Sequence, residues 1–292
     1  MSGSPDIVPG TVSKILWHFT GGPTWNDKTK KQNTSPKPSK NAYRNLNSIL
    51  ESRKLRVGTY KETVKVIIPK RRRFDLKTRQ TIIEENVPVV ITSSSVCCLS
   101  DIPAPHLRYH AYRYGKFAIG FYRDAIIKHG FNPVLYTLTD TSIVRSIYEG
   151  FSSFDFADPF QIKMSIDTIN SAIDDAESEF ENLNLSVSSE ISDIEMEADK
   201  IESSIDDAKE SLKKLVAFIK TFEKDEFSSI YCEREWRSTQ QYNFDVKDVA
   251  MIVIPKVVSN TYYFNDFVDN VASMLSLPRR IPIVPWEDLI EH

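Results

Sequence analysis

Between Ile166 and Leu215, apolar residues recur three and four positions apart, and a chain with such a stretch in its middle cannot fold as one uninterrupted sheet. Ile166, Ile169, Ile173, Ala176, Phe180 and Leu183 form one series; Ile191, Ile194, Ala198, Ile201, Ile205, Ala208, Leu212 and Leu215 form a second. This spacing is a heptad seam. The stretch from Asn184 to Ser189 interrupts it, which predicts two long helices folded back as an antiparallel hairpin, a coiled coil. From Ser165 to Glu226 there are 18 Asp/Glu against six Lys. The hairpin therefore has an acidic outer face, serving either as a solvated spacer or as an arm that docks a partner protein.

On either side the periodicity changes to that of strands and short helices. Ile15 to Phe19 reads as a strand, followed by a Gly-Gly-Pro turn and a polar loop from Asn26 to Lys40. Asn41 is placed to cap a helix from Ala42 to about Arg53, with Leu46, Ile49 and Leu50 as its apolar stripe. Val64 to Ile68 and Val87 to Thr92 read as strands flanking a basic run, and Ser95 to Leu99 as another. Lys116 to Tyr122 is a buried strand, Asp124 to His129 a short helix closed by Gly130, and Pro133 to Leu138 a strand. Beyond the insertion, strands are expected at Phe227 to Ser238, Val249 to Ile254 and Ile281 to Val284, with a helix at Phe264 to Leu275. No regular βαβ period appears, so the expected class is α+β. Residues 1–160 and 227–292 would form one mixed domain, interrupted by the hairpin at 161–226.

The net charge of -3 conceals an asymmetry. Lys28 to Arg79 holds 17 Lys/Arg against three acids, including Lys70, Arg71, Arg72 and Arg73 in sequence. Such a segment can contact the phosphates of RNA or DNA, or it can be a solvated loop or a partner of the acidic segment. Three cysteines, Cys97, Cys98 and Cys232, have no zinc-type spacing and read as core thiols. No run approaches the roughly 18 apolar residues of a membrane span, and the N-terminus lacks the pattern of a signal peptide, so a cytoplasmic protein without membrane association is expected.

Two glutamates one residue apart mark the stretch Ile230 to Ser238, IYCEREWRS. On a strand, Glu233, Glu235 and Arg237 would share one face. Two carboxylates on neighbouring pleats repel unless a cation or a substrate offsets them. The stretch is either a half-buried strand whose charges satisfy one another or an active-site strand. His18 is either a core histidine or a functional one, and Ser100 and Asp101 either cap a turn or project into a cleft. The run His106, Arg108, Tyr109, His110, Tyr112, Arg113 and Tyr114 could stack a base while holding a phosphate, or could be a surface helix with a tyrosine stripe. No Gly-rich phosphate loop, nucleophile triad or metal triad is indicated.

The order of HFT in the first strand, a helix leading to LRVG, then CLSDIP, RYGKFAIGFYRDAIIKHGFNPVLY and EREWR resembles the AbiGi-type abortive-infection proteins of bacteria. These are phage-resistance proteins, some of them antitoxins. A histidine followed by Thr on the first strand, together with a late Glu-x-Glu strand, is also similar to the ADP-ribosyltransferase fold, a split mixed sheet gripping NAD. That second resemblance implies NAD as a substrate, with His18 on the adenosine-side ribose and Thr20 and Ser100 shaping the pocket. Tyr112 or Tyr114 would stack on the nicotinamide. Glu235 would hold the nicotinamide ribose and stabilise the oxocarbenium-like transition state, and Glu233 would orient or deprotonate the acceptor. The sequence departs from the transferase pattern in its middle strand, where Ser93 to Ser95 precedes the strand and gives no Ser-Thr-Ser motif. The expected function is an NAD-dependent ADP-ribosyltransferase toxin in phage defence, acting on nucleic acid or protein, with a cognate antitoxin or chaperone as partner. The alternative is an inert antitoxin or regulatory binding module.

Overall fold

The structure, a computed structural model, describes residues 13–291 apart from 24, 27–30, 33–34, 59, 76–77, 79, 140, 157–167, 169–170, 172–183, 227–229 and 279. The chain divides into two units. One comprises Met1–Glu62, Ser95–Tyr136 and Ala217–His292, and the other comprises Thr63–Ser94 and Thr137–Val216.

The first unit is built on a seven-stranded sheet. Its strands in chain order are β1 (Ile15–Phe19), β2 (Cys97–Ser100), β3 (Ala118–Tyr122), β4 (Asn132–Pro133), β5 (Glu235–Ser238), β6 (Val249–Ile254) and β7 (Ile283–Pro285). In space they run β7-β6-β3-β1-β2-β5-β4. All neighbours are antiparallel except β6 and β7, so the sheet is mixed and the unit is α+β. β1 pairs with β3 from Ile15↔Tyr122 to Phe19↔Ala118, but with β2 through Trp17↔Ser100 alone. The sheet is thus joined loosely at its centre. A cleft opens at this point.

Alternation along β1 sends its apolar side chains into two cores. Leu16 joins Leu99, Ile119, Phe121 and Ile252, against which helix α1 (Ser39–Ser52) lays Ala42, Leu46 and Leu50. Trp17 and Phe19 join the second core with Leu107 and Ala111 of helix α2 (Leu107–Tyr114) and with Trp286. Gly120 sits opposite Trp17 because a Cβ there would come 2.7 Å from Ile15 and 3.0 Å from the Trp17 ring. The start of α1 differs from the expected cap. Pro38 is the N-cap, and the amides of Asn41 and Ala42 already donate to its carbonyl. The fixed φ of proline sets the turn, so Asn41 is inside the helix.

The second unit holds a hairpin of two 13-residue strands, Thr63–Asp75 and Gln80–Thr92, paired from Thr63↔Thr92 to Asp75↔Gln80. The basic run was expected between two strands and lies instead within the first. Its backbone pairs residue by residue with the second strand, and Lys70 stands opposite Glu85, 3.7 Å away, where opposed charges across a ladder offset one another. Val64, Ile68 and Ile91 of the hairpin pack with Val144 and Tyr148 of helix Ser142–Phe156 and with Val216. Val216 ends a helix of 33 residues, Asn184–Val216, the second half of the expected hairpin. That helix begins at Asn184, so the stretch expected to interrupt the seam is helical. The first series, Ile166 to Leu183, lies outside the described residues. Among the described residues no helix is long and apolar enough to cross a membrane.

Candidate functional site

A cleft of about 370 Å³ opens where β1 and β2 part. Its lining includes His18 and Thr20 from the end of β1, Cys98 and Ser100 from β2, His110 and Tyr114 from α2, and both glutamates, Glu233 and Glu235. Asn45, Ser48 and Ser52, spaced at helical intervals along α1, form a polar wall with Lys37, Lys54 and Arg56.

The two glutamates do not share a strand. Glu233 ends a short 3-10 turn, Tyr231–Glu233, and Arg234 takes a left-handed conformation with φ 42° before β5 begins at Glu235. The Asp101 amide donates to the Arg234 carbonyl at 2.9 Å, and the Arg234 guanidinium reaches Asp101 at 3.4 Å, so the kink is fixed from both sides. Simple alternation fails at Arg234. It holds for Glu235 and Arg237, whose side chains form an ion pair at 2.8 Å.

Around them runs a buried charge network. Lys220, on strand Ile219–Phe222, donates to Glu233 at 2.5 Å and to Glu235 at 3.3 Å. Glu233 also accepts from Arg113 at 2.7 Å and from the Tyr114 hydroxyl at 3.1 Å. Arg237, fully buried, bridges Glu235 to Glu62 at 2.5 Å and donates to the Ala217 carbonyl at 2.7 Å. Three carboxylates thus face three cations. Burial alone would raise the Glu235 carboxyl, but the charges of Lys220 and Arg237 outweigh it and hold the group well below the usual carboxylate range. Burial would likewise lower Lys220; Glu235 and Glu233 reverse that and hold the ammonium well above its ordinary value.

Burial favours the neutral form of the two histidines that line the cleft, His18 and His110. Burial pushes His110 down to about 3, helped by repulsion from Arg113 and Lys220 against the pull of Glu235. Its Nε2 lies 3.1 Å from the Ser100 hydroxyl, and its ring stacks on Tyr114 at 4.3 Å. Burial also lowers His18, against the opposing effect of its bond to Cys98. Nδ1 of His18 is 3.1 Å from the Cys98 carbonyl, so a neutral imidazole must carry its proton there. Nε2 is left as an acceptor.

Of the sequence candidates, His18, Thr20, Ser100, Tyr114, Glu233 and Glu235 come together at the cleft. The Thr20 hydroxyl is committed to the Ala42 carbonyl at 2.8 Å and ties α1 to the sheet. Tyr112 does not line the cleft. It is 85% exposed and faces a separate hollow beside Trp286, because two residues from Tyr114 on a helix is nearly the opposite side. Lys70 lies in the hairpin unit, 3.7 Å from Glu85 and well exposed; the side chains of Arg71, Arg72 and Arg73 lie outside the described residues. Among the described residues no cluster of metal-ligating side chains occurs.

Residues 61–276 match the family described as "Putative abortive phage resistance protein AbiGi, antitoxin". The chain belongs to this family. No curated protein and no solved structure matches it. The AbiGi span contains every member of the charge network, from Glu62 to Arg237, whereas β1 and α1, with His18, Thr20 and Asn45, lie before it.

Lys220 and Glu62 were missed by sequence reasoning. Lys220 stands in the apolar run AFIKTF, where a lone lysine in a short strand signals a buried partner. Glu62 precedes a long strand and gives no such signal.

Proposed function

We propose that this AbiGi chain is the antitoxin of an abortive-infection pair, a binding module that neutralises a toxin partner rather than an enzyme. The observation that supports this most is the closed charge network. An NAD-cleaving glutamate must offer a carboxylate oxygen to a ribose that becomes positive in the transition state. Glu235 is already held by Lys220 and Arg237, and Glu233 by Lys220, Arg113 and Tyr114. A lysine between two carboxylates also opposes a developing cation. The word antitoxin in the family description agrees with this reading.

A second reading keeps the ADP-ribosyltransferase-like fold and NAD as substrate. It is favoured by the gathering of His18, Ser100, Tyr114 and the glutamate pair around one cleft at the loosest seam of the sheet. Under it, ligand binding would have to draw Lys220 away from Glu235 before chemistry.

The two readings make opposite cellular predictions. For an antitoxin, removing the chain from its native host arrests growth without phage, and overproducing it alone is harmless. For a toxin, overproduction arrests growth and removal is tolerated. Glu235→Gln cannot separate them, because it strips a partner from Lys220 and Arg237 in either case.

A further inference from the structure

Outside the cleft, a groove of about 660 Å³ is bounded by α2 and by the 3-10 turn at Tyr231–Glu233. Buried Ile102, with Pro103 and Pro105, supplies apolar surface, and two tyrosines stand out beside it, Tyr109 59% exposed and Tyr231 51% exposed. Large aromatic side chains left in water next to prolines form a rigid apolar surface that costs little entropy to cover. The groove is also one-signed. Arg108 and Arg234 line it with His106, and among the described residues no carboxylate does. Arg234 leans on Asp101, but exposed Arg108 has no carboxylate partner among the described residues.

We propose that this groove receives an extended acidic segment with aliphatic anchors, supplied by the partner protein. The choice of occupant rests on charge complementarity: an aliphatic side chain fills the space between the tyrosines while a neighbouring carboxylate pairs with Arg108. The identity of the supplier rests on the antitoxin reading above; the chemistry of the segment does not. The groove shares both its elements with the cleft. Arg113 and Tyr114 follow Arg108 and Tyr109 on α2, and Glu233 follows Tyr231, so an occupied groove bears directly on the residues that hold Glu233.

The test uses the full chain and three fluorescein-labelled ten-residue peptides: alternating Leu and Glu, alternating Leu and Lys, and alternating Ser and Glu. Fluorescence anisotropy should show binding of the Leu-Glu peptide alone. Arg108→Glu should weaken it by roughly tenfold or more, and Tyr109→Ala and Tyr231→Ala should each weaken it by several-fold. Unchanged thermal melting of the three variants would confirm that they fold, as surface changes should. Equal binding of the Leu-Lys peptide, no effect of Arg108→Glu, or no binding at all would overturn the proposal. Self-association of the chain that Arg108→Glu abolishes would overturn it too, by making a second copy the occupant. Growth arrest by the overproduced chain would refute the antitoxin reading and leave the peptide result standing, so the two failures are distinct.

Discussion

Lys220 decides the character of the site. Its ammonium is buried between two carboxylates, and a buried ion stripped of partners is far more costly than the pair it came from. Lys220→Met should therefore lower stability by about 3–5 kcal/mol in urea unfolding, because Glu233 and Glu235 would lose their shared cation while Arg113 and Arg237 remain. A loss below about 1 kcal/mol would mean that the network is loose in solution. Acid should act on the same residues. His110 has a folded value of about 3, below its ordinary 6.5, so the unfolded chain binds its proton first. The stability it supports is fully present above pH 6.5 and falls as the pH drops toward 3. Glu235 acts in the same direction at lower pH, its contribution present above the ordinary carboxylate range and lost on further acidification. A melting temperature that is flat from pH 7 to pH 4.5 would contradict the His110 assignment. At this scale the glutamate pair and Arg237 were legible from one short stretch. Lys220 and Glu62 were not read: the lone lysine in AFIKTF signals a buried partner without saying which, and nothing local marks Glu62.

Among the elements, short strands made of nearly continuous apolar runs were read nearly residue by residue. Ile15–Phe19 and Val249–Ile254 are examples, since both of their faces are largely buried. The errors fall where another force overrides the pattern. The strand containing Lys70 to Arg73 continues through its basic run because an equally long partner pairs with it throughout, with Glu85 opposite Lys70. The segment before β5 bends at Arg234 because Asp101 holds that residue in a left-handed turn, which no alternation rule foresees. Substituting Arg234 by Gly tests the balance: glycine adopts φ 42° at no steric cost, but the ion pair to Asp101 is lost. The expected net change in thermal unfolding is within about 1 kcal/mol, and a larger loss would assign the kink to the ion pair. Gly120→Ala should cost about 1–3 kcal/mol by the same measurement, since its Cβ meets Ile15 and the Trp17 ring in two well-packed strands. A neutral outcome would show that β1 and β3 can shift apart.

For the whole molecule, α+β with a mixed sheet followed from the absence of a regular βαβ period and from strands on both sides of a helical middle. The element order could not reveal that β2 lies between β1 and β5. That arrangement brings Ser100 and Glu235 side by side and creates the cleft. Lys220 reaches the glutamates from strand Ile219–Phe222, which is not part of that sheet. The carboxylates that the sheet gathers are thus held by cations from outside it, Lys220 and Arg113, as well as by Arg237 of β5. The most direct test is to incubate the purified chain with nicotinamide-labelled NAD, in the presence of total RNA, single-stranded DNA and lysate protein, and to measure released nicotinamide. A closed network predicts release no faster than in buffer alone. Release that depends on the chain and is abolished by His18→Ala, in a variant that still melts as the unaltered chain does, would contradict it and restore the NAD-dependent reading.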